Sequence, residues 1–473
     1  MRVSDLINLA SEYLKIGIIA GFFIMFSIFA GYFLVYRKLL KGQRVISWKV
    51  FLWWGIFLCY LSVVLGATLL SRGGFWTSKI QPLFYSYRDA WINFSNAAWR
   101  NIILNFCMFI PFGIWLPLGI KRFRKFWKTY LAGFAFTLLI ECIQLLFRRG
   151  IFELDDILGN TVGTMIGYGL FSIVVLIDNI IKKRNSKNVV SAAALQLPLI
   201  MTITAFTVIC VKYNTQELGN NPYRYIEAYN SNMISVMGES EFSAEEKDLN
   251  VYETVTLTVE EAKEKGEKIF ETLGTEIDES RVDIYDETII MYSNKGSYSL
   301  WIDYQGATYR LTCFNVIFPE GGTISDPVSG ADEETIRSAL DQMGFEIPKE
   351  AVFKELKSGN YQFEIAMSET AEGITNGAFG CSYYGGRGIG EISNALITCT
   401  PYKAYPAISE KEAYGKIVNG EFQYYGNGRL EIQIESCSLV YCLDSKGYYQ
   451  PNYQFKCIVN GNEGEIMIPA IKI

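Results

Sequence analysis

Three short polar stretches lying inside apolar sequence hold the groups best suited to chemistry. They are Asn101 with Asn105, Glu141 with Gln144, and Asp155, Asp156 and Asn160. Each is costly in hydrocarbon, roughly 2.5–3.5 kcal/mol for an Asp at a helix centre, so such groups serve either a ligand or the pairing of helices. The chain contains no histidine, which excludes Ser-His-Asp and Cys-His catalysis and zinc sites built on imidazole. The ten cysteines form no Cys-x-x-Cys pair, and the acidic runs lack EF-hand spacing, so neither metal nor cofactor is expected. No nucleophile can be named, and catalytic residues stay unassigned.

The elements that must position these groups are helices. Apolar runs fall at Ile18–Tyr36, Val50–Leu70, Asn101–Ile120, Thr129–Phe147, Ile157–Ile177 and Val189–Val211. Each has the ~20 residues needed to cross a bilayer. Charge sets their direction. Residues 1–211 carry 22 Lys and Arg against 8 Asp and Glu, and 14 of those basic residues lie in the stretches 37–49, 121–128 and 182–187, which contain no acid. The positive-inside rule places these stretches in the cytoplasm, and the N-terminus and everything after Val211 outside. A span-length first run followed by basic residues is a membrane helix rather than a cleaved leader.

On this frame the polar groups share a depth. Asn101 and Asn105 lie one turn apart, as do Asp156 and Asn160, and Glu141 and Gln144 share a face. Glu141 is six residues from Phe147, about 9 Å below the outer end of its span. Gly159, Gly163 and Gly167 form a row that lets another helix come close. The spacing predicts a cup open to the outside, with acids and amides within and Arg148 and Arg149 at the rim. In it Glu141 would meet a cation or donor. Asn105, Gln144 and Asn160 would hydrogen-bond, and Arg148 would meet negative charge. The loop 71–100 is dense in Phe, Tyr and Trp, including Phe75, Trp76, Tyr87 and Trp91, as at a headgroup layer or in a lid.

Asn101 and Asn105, Phe109-Ile110-Pro111-Phe112-Gly113, Glu141-x-x-Gln144, Arg148, Asp155-Asp156-x-x-x-Asn160-Thr161-x-Gly163 and Gly167 together resemble the VanZ-like membrane family over about residues 55–177. The resemblance implies a Gram-positive cell-envelope protein akin to the accessory protein of low-level teicoplanin resistance. The first and sixth spans and the long C-terminal region depart from that pattern.

Residues 212–473 are acidic, 21 Lys and Arg against 41 Asp and Glu, which argues against a nucleic-acid partner. Capping boxes at Thr258–Glu261 and Ser409–Glu412 begin helices that stop by Gly274 and Gly420, and a third helix runs from Asp332 to Gly344. Strands are expected at Val282–Tyr292, Tyr298–Thr312, Tyr361–Met367, Ile392–Thr400, Leu430–Cys442 and Tyr453–Pro469; several alternate apolar with polar, as half-buried antiparallel strands do. Their order weakly resembles PepSY-like and YycI-like extracytoplasmic modules. The glycine-rich stretch 384–390 lacks the Lys-Ser/Thr of a phosphate loop and reads as a turn. Cys437 and Cys442 are either bridged or free buried thiols.

The expected architecture is therefore an α-helical membrane bundle of six spans followed by an α+β extracytoplasmic region with antiparallel sheets. Its parts are a membrane domain at 1–211, a linker at 212–250, and two or three helix-plus-sheet units at 251–473. The leading function is capture of an amphipathic envelope ligand in the cup: an envelope lipid, a lipid-linked cell-wall precursor or a lipoglycopeptide. An extracytoplasmic protein partner is open to the outer region. Two alternatives stand beside this: an intramembrane enzyme using Glu141 and Asp156 as acid and base, and a membrane-anchored sensor or scaffold.

Overall fold

The computed structural model describes residues 19, 21–23, 25–43, 47–70, 80–148, 150–182, 189–224, 230–238, 242–319, 326–370, 373–423 and 428–472. Arg44, Phe75, Trp76, Arg149 and the basic stretch 183–187 therefore lie outside the described residues. The chain divides into two compact units, Met1–Gln216 and Glu217–Ile473.

The first unit is a membrane bundle. Among the described residues, six helices are long and apolar enough to cross a bilayer: α1 (Gly21–Leu39), α2 (Val50–Leu69), α4 (Asn96–Gly119), α5 (Phe126–Phe147), α6 (Leu154–Ile181) and α7 (Val189–Thr215). A short helix, α3 (Tyr85–Asn93), precedes α4. Two-residue strands β1 (Ile80–Gln81) and β2 (Phe152–Glu153) pair in parallel and tie the segment before α3 to the start of α6. Helix α4 runs unbroken through Pro111 and Pro117. Pro111 denies the Cys107 carbonyl its donor, and the neighbouring Met108 carbonyl accepts instead from the Tyr60 hydroxyl of α2 at 2.7 Å. Gln196 docks α7 on α6, donating to the Gly169 carbonyl at 2.9 Å.

The second unit is sheet-rich. One group of antiparallel strands comprises β5 (Ile277–Ile284), β6 (Thr288–Ser293), β7 (Tyr298–Asp303), β8 (Tyr309–Cys313), β9 (Val352–Lys357), β10 (Asn360–Thr370), β11 (Gly373–Tyr383) and β12 (Ile389–Asn394). Their order is β5-β6-β7-β8-β12-β11-β10-β9. Helices α8 (Val259–Thr272) and α9 (Glu333–Asp341) cover one face, burying Phe270, Ile336 and Leu340 against Met291, Leu300, Ile302, Leu311 and Phe363. The other group is β3 (Ile234–Met237), β4 (Asp248–Thr254), β13 (Ile397–Pro406), β14 (Leu430–Leu443), β15 (Tyr448–Val459) and β16 (Asn462–Pro469). Helix α10 (Glu410–Val418) packs on it through Ala413 and Ile417, against Ile432, Phe455 and Ile468. Strand β13 joins the two groups by pairing with both β11 and β4.

Four of the expected strands are each two strands in fact. Ile392–Thr400 breaks at 395–396 between β12 and β13, and Tyr453–Pro469 breaks at 460–461 between β15 and β16. The run Val282–Tyr292 turns back at 285–287, and Tyr298–Thr312 turns at 304–308, where Gly306 and Ala307 adopt left-handed backbone, φ 76° and 54°. Strong β-formers flank both of these turns within a few residues, so each pair of strands reads as one run. The glycine-rich stretch is the turn between β11 and β12, with Gly385 and Gly388 at φ 65° and 88°. The stretch expected to link the halves contributes β3 and part of β4 to the sheet, and Gly219 and Asn221 bond to Asp444 and Asn452. All ten cysteines are free thiols, with Cys313, Cys381, Cys399 and Cys457 buried in strands.

Candidate functional site

The polar groups of the membrane unit sit where α4, α5 and α6 meet, and glycines make that meeting close. A β-carbon on Gly163 would lie 2.2 Å from the Phe106 carbonyl oxygen, and one on Gly167 would lie 2.1 Å from that of Ile110. From the α4 side, a β-carbon on Gly113 would lie 2.1 Å from the Thr164 carbonyl oxygen. Gly133 of α5 faces the Thr164 side chain at 2.4 Å in the same way. Only residues without side chains permit backbones this near.

That approach brings polar side chains of different helices within bonding range. Asn105 of α4 donates from Nδ2 to Asp156 Oδ1 of α6 at 2.5 Å. One turn along α6, Asn160 donates from Nδ2 to Thr137 Oγ1 of α5 at 2.9 Å. One turn along α5 from Thr137, Glu141 Oε2 accepts from the Glu153 backbone N–H at 2.9 Å. Three residues on, Gln144 donates from Nε2 to the Thr68 carbonyl in the last turn of α2, also at 2.9 Å. The result is a ladder of bonds across four helices. Glu141 is 1% exposed and Asn160 2%, so neither relies on solvent.

Each carboxylate has a local electrostatic reason to be there. The Glu153 N–H belongs to the cap of α6, where the first amides have no intrahelical acceptor and the helix dipole is positive. Asp155 serves α3 in the same manner. Its Oδ1 accepts from the Phe84 N–H at 2.5 Å and its Oδ2 from the Ser86 N–H at 2.7 Å. The Ser86 hydroxyl donates to Glu153 at 3.2 Å. Held this way, α3 sets Tyr87 among Ala90, Ile102, Phe106 and Ile166. Burial, followed by the charges of Asp155 and Asp156, pushes the Tyr87 phenol up to about 12.

The ladder is incomplete. Gln144 Oε1, Asn160 Oδ1 and the Thr161 hydroxyl are buried without a partner among the described residues. A buried acceptor left open costs about 1–3 kcal/mol, and native interiors hold few of them.

Of the residues chosen from sequence, Asn105, Glu141, Gln144, Asp156 and Asn160 join this ladder. Asp155 is committed to the loop and α3. Asn101 and Arg148 are exposed, and Arg148 forms the left-handed cap of α5 at φ 53°. Sequence reasoning missed Thr137, which lies one turn before Glu141 and so shares its face. It also missed the Thr68 carbonyl and the Glu153 amide, because backbone partners leave no mark in residue types. Tyr87 was legible only as one aromatic among several.

The VanZ/LLP1 family model matches residues 50–176. Protein VanZ of Enterococcus faecium is 35% identical over 78 residues, 16% of this chain and 45% of that protein, so the match spans less than half of that relative. Two solved structures resemble the chain at a TM-score of 0.23. One is an uncharacterized protein from Eubacterium rectale, 10% identical, covering 51% of this chain and 91% of that one. The other is the YpeB C-terminal domain of Bacillus megaterium, 12% identical, covering 46% and 95%. Neither likeness carries weight for fold or function. The segment that resembles the VanZ/LLP1 family, residues 50–176, contains every bond of the ladder.

Proposed function

We propose that the membrane unit binds an amphipathic ligand of the bacterial envelope through the buried ladder. The ligand class is a lipid, a lipid-linked cell-wall precursor or a lipoglycopeptide. The observation that carries this reading is the pair of open acceptors, Asn160 Oδ1 and Gln144 Oε1, on the same helices as the carboxylates Asp156 and Glu141. What such a site lacks is a hydrogen-bond donor. A hydroxyl, amide or ammonium on a lipid-like molecule supplies one, and the surrounding apolar helices suit its tail. By the positive-inside rule, the basic stretches support a site toward the outer leaflet and a second unit outside the cell. Likeness to VanZ supports a role in glycopeptide susceptibility or envelope stress.

The test is phenotypic. Glu141→Gln and Asn160→Ala are introduced singly, membrane insertion is checked by fractionation, and teicoplanin susceptibility is measured. Both variants insert normally and behave as the deletion strain. Wild-type susceptibility from both would overturn the proposal.

A further inference from the structure

The second unit carries a groove that the membrane reading does not use. It lies on the solvent side of the β5–β12 sheet, has a volume of about 550 Å3, and is lined by Trp301, Arg310, Gly380, Glu391, Ser393 and Leu356. Register puts these residues on one face. Trp301 stands opposite Arg310, Arg310 opposite Ser393, Thr312 opposite Glu391, and Ser393 opposite Gly380. The intervening Leu300, Leu311, Cys381 and Ile392 are buried in the core on the other side. Gly380 keeps the floor low, since its missing β-carbon has no atom nearer than 3.7 Å.

Arg310 and Glu391 are diagonal neighbours on adjacent strands, a placement that sets Cβ atoms roughly 7–8 Å apart or slightly less. Side chains of that length can bridge such a gap. These do not. Neither side chain forms an ion pair or hydrogen bond with another described residue. The guanidinium instead lies over the Trp301 ring, 5.4 Å from its centroid, and this stacking fixes its direction. Two opposite charges are thereby held apart across a groove with apolar flanks, Trp301 and Leu356, both exposed.

We propose that this groove binds a dipeptide-sized zwitterion. Its carboxylate meets Arg310, for which a guanidinium is the preferred bidentate partner. Its ammonium meets Glu391. An extended chain covers about 3.3–3.6 Å per residue, so two residues match the spacing of the two charges, whereas one is too short and four too long. The small apolar side chains rest on Leu356 and over Gly380. The proposal is independent of the membrane site.

The probe is L-alanyl-L-alanine, titrated calorimetrically into the full chain in lipid nanodiscs. It is compared with the same dipeptide acetylated at its amine or amidated at its carboxylate. Saturable binding is expected for the free dipeptide. Losing either charged contact weakens binding by about tenfold or more. Arg310→Gln reproduces the effect of amidation and adds nothing to it, and Glu391→Gln does the same for acetylation. Absence of saturable binding to the unaltered protein, or equal binding of the blocked dipeptides, overturns the proposal. If a variant fails to fold, the blocked-dipeptide comparison on the unaltered chain decides alone.

Discussion

A carboxylate among apolar helices must find its hydrogen bonds inside the protein, and Glu141 finds one at the amide of Glu153, the residue that caps α6. That bond ties α5 to the cap of α6. Asp444 in the second unit is a buried carboxylate held by several donors at once. It accepts from the N–H groups of Gly219 at 2.7 Å, Lys446 at 2.7 Å and Tyr448 at 3.0 Å, and from Gln450 Nε2 at 2.6 Å. Asp444→Asn turns one acceptor oxygen into a donor facing donors. It should destabilise the unit by about 1–3 kcal/mol, read as a lowered denaturant midpoint. The two sites differ in legibility for a physical reason. Glu141 stands out because an acid in an apolar run is anomalous by itself. Asp444 sits in an ordinary turn, and its bond to Gly219 joins residues 225 positions apart, which residue types do not announce.

At the scale of elements, the glycine row decides whether the ladder can form. Gly163→Ala places a β-carbon 2.2 Å from a backbone oxygen of α4, whereas Gly159→Ala meets its nearest atom, Asn105 Cβ, at 3.4 Å. Overpacking of this kind costs about 1–3 kcal/mol or more. Gly163→Ala should therefore lower the thermal midpoint and lose its monodisperse profile on size exclusion, while Gly159→Ala stays close to the unaltered protein. The row was readable as small-xxx-small, and the structure adds which partner it meets.

Helix α8 offers a pH test. Hydrogen bonds from the Thr258 N–H and hydroxyl hold the Glu261 carboxyl below the usual carboxylate range. A depressed folded value means that the stabilisation is present above the unfolded value and is lost as pH falls through the folded one. Hydrogen exchange over 259–272 should be faster in Glu261→Gln than in the unaltered chain near neutrality, and the two should converge in acid. This capping box was legible because both partners are side chains three residues apart. The turns at 285–287 and 304–308 were not, since strong β-formers lie close on both sides and the two strands read as one run.

Taken whole, the chain joins a membrane unit, whose residues 50–176 resemble the VanZ/LLP1 family, to a sheet-rich unit of opposite charge. Span count and the change at residue 211 followed directly from hydropathy and charge, which report the solvent each segment prefers. The connection between β11 and β13 did not, because pairing among strands distant in sequence depends on register and not on composition. Opposite charge in the two halves also agrees with one facing anionic lipid and the other avoiding it. The most direct test of the central claim is mass-spectrometric identification of molecules that co-purify with the full chain, beside the Glu141→Gln variant. A stoichiometric amphipathic envelope molecule bearing a hydrogen-bond donor, retained by the unaltered protein and lost from the variant, is the predicted result. Identical, non-stoichiometric lipid on both would contradict the account.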